Sequence, residues 1–207
     1  NGLIPRNPFI QFHISPNVKE REYLTEDELK AVMTHEFADS KLAYIRDIFI
    51  FASFTALSFV DIQELTNDNI VEVNGEKWIL SKRHKTKVAF QVKLLDIPLQ
   101  IVERYRPMQK DNRIFPDLNY WSICKPLKRM IRECGITKSI SFHCSRHGFA
   151  TLALSKGMPI ESVSRVLGHT NIVTTQLYAK ITTQKLDNDL TMFGDKLSKT
   201  FNGITMS

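Results

Sequence analysis

The sequence predicts an α+β fold that is mostly helical, with one small three-stranded antiparallel sheet. Three observations lead there. Apolar residues recur at helical spacing over most of the chain. The period switches to two between residues 70 and 94, on either side of an Asn74-Gly75 turn. Helical spacing returns at Pro98 and runs to the C-terminal segment, so the strands form one block among helices.

The elements follow in order. Residues 1–20 carry three prolines and no clear period, and read as a linker or arm. Thr25 and Glu28 form a capping box with Leu24 and Leu29 as its staple, so a helix starts near Glu26. A second helix spans Leu42 to Leu57. It is apolar almost all round beyond Ile48 and should be buried, which makes Arg46 and Asp47 out of character. Ser58 and Asp61 cap a short helix. Ile70–Val73 and Glu76–Arg83 pair across Asn74-Gly75. A third strand alternates Val88, Phe90, Val92 and Leu94 with Lys87, Ala89, Gln91 and Lys93, which leaves one face in solvent. The tip between strands two and three, Lys82 to Lys87, holds four Lys or Arg and one His in six residues.

Helices are then expected from Pro98 to Tyr105 and from Tyr120 to Cys134, the latter closed by Gly135. The helix after His143 ends at Gly157, Pro159 opens the next, and another carries Tyr178. Leu186, Leu190, Phe193 and Leu197 mark one face of a terminal helix. The predicted organisation is an arm over 1–20, a compact domain over 21–180, and an amphipathic helix with a tail over 181–207.

Composition narrows the function. With 43% hydrophobic and 24% charged residues, the 207-residue chain is globular rather than disordered. A net charge of +6 and a pI of about 9.2 favour a polyanionic partner. The longest apolar-leaning run, Ile48 to Val60, is interrupted by Ser53, Thr55 and Ser58 and is shorter than the ~20 residues of a membrane span. Cys124, Cys134 and Cys144 cannot all pair and form no C-x-x-C, which fits a reducing compartment. There is no signal-peptide pattern. The chain lacks an initial methionine and is expected to be a piece of a longer protein.

The chemistry concentrates between His143 and Tyr178. Attack on a phosphodiester needs positive charge on the non-bridging oxygens, an in-line nucleophile and a proton for the leaving oxygen. Arg146 suits the first task, because its planar fork donates two hydrogen bonds and stays charged. His143, one helical turn away on the same face, reinforces it. His143 and His169 suit phosphate hydrogen bonding or proton shuttling; read alone, either would be a structural histidine. Leu167-Gly168 suggests a helix end whose turn aims the His169 ring. His147 reads as a packing residue. Tyr178 is the candidate nucleophile, a phenol of ordinary pKa near ~10 made useful by neighbouring Arg and His. Lys85, in the strand tip, is placed to protonate a departing 5′ oxygen, or else belongs to a solvated charge run that touches phosphate nonspecifically.

These residues resemble the catalytic signature of the tyrosine recombinases, integrases that cut and rejoin DNA through a phosphotyrosine. His143-x-x-Arg146, Leu167-Gly168-His169 and Thr174-Thr175-Gln176-Leu177-Tyr178 carry the likeness, which covers roughly residues 22–180. It implies catalytic roles for Lys85, His143, Arg146, His169 and Tyr178, chemistry without metal or cofactor, and double-stranded DNA as partner. It further implies a tetramer on DNA, a preceding core-binding domain from which residues 1–20 trail, and the bacterial cytoplasm. No membrane or small-molecule partner is implied. The first arginine departs from the pattern. The family's T-G-L-R turn matches Thr55-Ala56-Leu57-Ser58, so serine stands where arginine is expected. Some Bacteroidetes mobile-element integrases look similar at this turn. Arg46 is the expected substitute, because an arginine in so apolar a helix needs a reason. Its twelve-residue separation from Ser58 spans ~18 Å of straight helix. The competing expectation is a pair with Asp47, with Arg83 as the reserve cation.

Two other readings stay open. One is a DNA-binding relative that lost activity when Ser58 removed a charge. The other is a zinc module built on Cys134, His143, Cys144 and His147, whose spacing does not match C-x-x-C…H-x-x-x-H. The terminal helix docks either on a neighbouring protomer or on its own domain.

Overall fold

Ser40–Thr55 (α2) is the helix about which the rest packs. The computed structural model describes residues 22–109, 111–179 and 183–200; the predicted arm over 1–20 lies outside them. Asp39 caps α2, and Ile45, Ile48, Phe49, Phe51 and Ala52 are all buried. Being apolar on every side, α2 can take neighbours on every side. Glu26–Thr34 (α1), Asp96–Tyr105 (α4), Tyr120–Glu133 (α5) and His143–Ser155 (α6) all contact it.

The start of α1 carries the expected reciprocal cap. The Glu28 amide donates to Thr25 Oγ1 at 3.3 Å, and the Thr25 amide donates to Glu28 Oε2 at 2.7 Å. Phe59–Gln63 (α3) is capped in the same way by Ser58 and Asp61. The sheet has order β1-β2-β3, from Ile70–Val73 (β1), Glu76–Lys82 (β2) and Ala89–Lys93 (β3), all antiparallel. Val73 stands opposite Glu76 and Lys82 opposite Ala89. Ile79, Phe90 and Val92 bury one face, as the alternation requires.

Apolar side chains form two clusters. The larger surrounds α2, with Phe51 against Phe115 and Phe49 against Phe142. The smaller gathers Ala150 and Leu154 of α6, Val163 and Leu167 of Ile160–Leu167 (α7), and Ala56. Val173–Gln176 (α8) is a single turn of helix, and Tyr178 follows it in a turn rather than lying in a helix as predicted. Thr183–Thr200 (α9) leaves Leu186 (50%), Leu190 (59%), Phe193 (57%) and Leu197 (40%) exposed among the described residues.

Ala56 ends α2 in the left-handed region, at φ 56°, and is fully buried. A left-handed alanine costs about 1–2 kcal/mol. Glycine would relieve that, but would lose about 0.8 kcal/mol of methyl burial and about 0.4–1 kcal/mol through the looser unfolded chain. The terms nearly cancel. Ala56→Gly is therefore expected to leave unfolding free energy within about 1 kcal/mol of wild type in urea titrations, because these three terms offset. Ala56→Val, β-branched at positive φ, should lose more than about 2 kcal/mol. Equal stability of the valine variant would contradict the strain.

Candidate active site

Two guanidinium groups meet at the C-terminal end of α7. Arg146, on α6, donates to the carbonyls of Ala56 at 2.9 Å and of Leu167. Arg83, at the end of β2, donates to the carbonyl of Val166. Val166 and Leu167 lie in the last turn of α7, whose carbonyls have no helical partner and carry the negative end of the helix dipole. Burial pushes Arg146 down to about 10, and the Arg83 charge beside it pushes the same way.

Asp61 holds Arg83. Its carboxylate accepts from Arg83 Nη1 at 2.7 Å, the His84 amide at 3.0 Å and the Ser58 hydroxyl at 2.8 Å. Burial alone would raise its pKa, but these donors and the Arg83 charge hold it below the ordinary carboxylate range. Arg83 is only 5% exposed, lies 4.0 Å from the centre of the Phe90 ring, and has a buried Nε without a hydrogen-bond partner. Gly168 makes room for it: a Cβ there would fall 2.9 Å from Arg83 Nε. The same glycine caps α7 at φ 63°, a region that favours glycine.

His169 leaves that cap as predicted. Its Nδ1 lies 2.9 Å from Thr175 Oγ1. Burial pushes its pKa down to about 4, with Arg146 and then Arg83 adding to the shift, so the ring is neutral at pH 7. His143 and His147 stack edge to face at 4.6 Å between ring centres, and the Tyr178 ring lies 5.2 Å from that of His147. Tyr178 also packs against the cluster of Ala56 and Leu167, the two residues whose carbonyls accept from Arg146. A cavity of about 230 Å³ is lined by Ser58, Tyr120, His143 and Arg146. A larger groove of about 540 Å³ is lined by Phe90, Arg165, Gly168 and His169. Two cations, imidazoles and a phenol are the group types that a developing trigonal-bipyramidal phosphate calls for.

Residues 22–185 match the model of the phage integrase family. The chain belongs to that family. It is 32% identical over 177 residues to the tyrosine recombinase XerA of Pyrococcus horikoshii, covering 79% of this chain and 58% of that protein. It is 26% identical to the tyrosine recombinase XerC of Lactobacillus leichmannii, covering 89% of this chain and 67% of that one. The fold superposes on the Tn1549 transposon integrase in complex with a circular intermediate DNA with a TM-score of 0.74. Identity there is 17%, and coverage is 91% of this chain and 72% of that one. The chain thus spans about three-fifths of the archaeal relative's length.

Against this family's pattern, Arg46 is a correction. Its Nε donates to Asp47 at 2.9 Å and its Nη1 to the His35 carbonyl at 2.9 Å, with Phe37 beneath it. Ten helical residues separate it from Ala56, about 15 Å along the axis. It belongs to a buried network in which Asp47 also accepts from Arg104 and Tyr105. Arg83, the reserve cation, is the one beside Arg146. Lys85 stands exposed in the turn between β2 and β3 and makes no hydrogen bond or ion pair with the described residues. That turn is closed by the Lys87 amide on the Arg83 carbonyl and the Arg83 amide on the Val88 carbonyl, both at 2.8 Å. Sequence reasoning missed Asp61 as the anchor of Arg83, Thr175 as the partner of His169, and His147 as the neighbour of Tyr178. A capping residue three positions after Ser58 was the only signal for Asp61. Among the described residues no three His, Cys, Asp or Glu side chains converge to hold a metal, which leaves the Cys134–His143–Cys144–His147 reading without a geometry.

Because His169 has a lower pKa folded than its ordinary 6.5, the unfolded chain binds its proton first as pH falls. The contribution to stability is complete above 6.5 and is lost through the window from 6.5 to about 4. His169→Gln should therefore show a shallower loss of stability than wild type over that window, measured by urea unfolding. Parallel curves would mean that the ring is not held neutral.

Proposed function

We propose that this chain is the catalytic part of a site-specific DNA recombinase that cleaves and rejoins double-stranded DNA through a 3′-phosphotyrosyl link to Tyr178. The observation that carries this reading is the gathering of Arg83 and Arg146 on the α7 terminus, with His169 leaving it and Tyr178 packed against its Leu167. Each guanidinium has five N–H donors and uses two in the described bonds; Arg146 lines the cavity of about 230 Å³ with spare donors, and Arg83 must turn from its buried position to offer its own. The Tyr178 oxygen attacks phosphorus as its phenolic proton passes to a nearby base. The phosphorus–O5′ bond breaks, and the 5′ oxygen takes a proton, for which Lys85 in the neighbouring turn is the donor in this reading. His143 and His169 hydrogen-bond the non-bridging oxygens. The phosphotyrosyl ester retains the energy of the broken bond, so a 5′ hydroxyl from another strand reverses the step and joins new ends.

Arg83 supplies the second positive charge that Ser58 cannot. This removes the reason for reading the chain as an inactive DNA-binding relative. The net charge of +6 favours the DNA backbone. The exposed apolar face of α9 supports assembly, in which α9 covers a second copy and four copies gather on DNA in the bacterial cytoplasm.

On a nicked suicide DNA substrate the wild-type chain should form a covalent adduct, and Tyr178→Phe should form none. Arg83→Ala should slow adduct formation by roughly 10²–10³-fold, the usual loss for one donor to a developing oxyanion. Arg46→Ala should leave the rate within roughly a factor of three, since its charge is paired with Asp47 and lies about 15 Å along the helix from Ala56. Wild-type rates in Arg83→Ala, with slow cleavage in Arg46→Ala, would reverse the assignment of the two arginines.

A further inference from the structure

Thr175 is fully buried, while Val173, Thr174 and Gln176, the other residues of α8, face solvent. A hydroxyl in that position loses water and needs a partner to offset the loss. Valine has the same shape and would sit there without that cost, so the hydroxyl is explained only by its bond. That bond is to Nδ1 of His169, at 2.9 Å. The backbone of the same residue holds the nucleophile's turn. The Thr175 amide donates to the Ile172 carbonyl at 2.8 Å, and the Thr175 carbonyl accepts from the Tyr178 amide at 3.0 Å. One residue therefore touches the imidazole through its side chain and the tyrosine segment through its main chain.

A neutral imidazole carries a single ring proton, on Nδ1 or on Nε2, and the partner of one nitrogen decides which. We propose that Thr175 is a positioning residue for strand cleavage: its hydroxyl donates to Nδ1 of His169, keeps the ring proton on Nε2, and ties the direction of that proton to the turn carrying Tyr178. This rests on the phosphotyrosyl reading given above. The Nε2 hydrogen then faces the phosphate as a donor. Without the hydroxyl the ring can turn over or shift its proton, which points a lone pair at a negatively charged oxygen. The neighbouring cap fixes only the main chain of His169, through its amide on the Ser164 carbonyl at 3.0 Å, and leaves the ring torsions to Thr175.

The test compares Thr175→Val, which keeps the shape and loses the hydroxyl, with Thr175→Ser, which keeps the hydroxyl. Two readouts are taken on the whole chain. ¹⁵N NMR of the histidine rings without DNA should give wild-type His169 as the Nε2–H tautomer, with the serine variant alike and the valine variant a mixture. On nicked suicide DNA, Thr175→Val should slow adduct formation about 10- to 100-fold, the usual effect of losing a group that orients another. Its DNA affinity should be unchanged, and Thr175→Ser should restore the rate. Thr175→Ala repeats the comparison if the valine variant folds poorly. An Nδ1–H tautomer in wild type, an unchanged His169 spectrum in the valine variant, or a wild-type cleavage rate in that variant would each overturn the proposal. If wild type itself forms no adduct, the recombinase reading fails, and the NMR comparison still decides whether Thr175 governs the His169 ring.

Discussion

The end of one short helix sets the terms for everything around it. Two guanidinium groups of like charge sit on successive carbonyls, those of Val166 and Leu167, and they would repel one another in isolation. Burial pushes the pKa of Arg146 down to about 10, and the neighbouring Arg83 charge pushes the same way. What holds them is the partial negative charge of the unpaired carbonyls, the Ala56 carbonyl, and the Asp61 carboxylate. The balance leaves a concentrated positive field, and a phosphate relieves the repulsion while gaining two forked donors. Donors held in place by such carbonyls and a carboxylate are preorganised for an anion.

The second consequence concerns where the charge comes from. Ser58 cannot carry a charge, and its hydroxyl is engaged in capping α3 and in bonding Asp61. The carboxylate it helps to anchor then reaches across to the β2–β3 turn and fixes Arg83. In the function proposed here, the charge missing from one loop comes from Arg83 just after β2, with Asp61 bonded to both places. Gly168 is needed twice over: its positive φ ends α7, and its missing side chain admits Arg83. The two demands fall on one residue because the helix end and the arginine pocket are the same place.

Most of the secondary structure was legible in the sequence because it is set locally. The capping boxes at Thr25 and Ser58, the Asn74-Gly75 turn and the glycines after α5, α6 and α7 all act within four residues. The H-x-x-R spacing and the Leu167-Gly168-His169 cap also lie within single elements. The errors came from pairs distant in sequence. Arg46 stood out as a charge in an apolar helix. Its explanation lies in Arg104 and Tyr105, fifty-seven and fifty-eight residues beyond Asp47, which turn that helix face into a satisfied polar network. Arg83 ranks in the sequence only as a reserve cation within a charged tip, because its anchor, Asp61, lies twenty-two residues earlier. The helix predicted to carry Tyr178 stops two residues short of it, since a single turn of helix leaves no periodic signal.

The central claim is that Arg83 and Arg146 grip the same phosphate with Tyr178 in line. A structure of the chain on DNA with vanadate bridging the Tyr178 oxygen and the 5′ oxygen tests it most directly. Both guanidinium groups should lie about 2.7–3 Å from equatorial vanadate oxygens, as charge-assisted hydrogen bonds do. Arg83 still sealed on Asp61 and Val166, with Arg46 or another cation in its place at the vanadate, would contradict it.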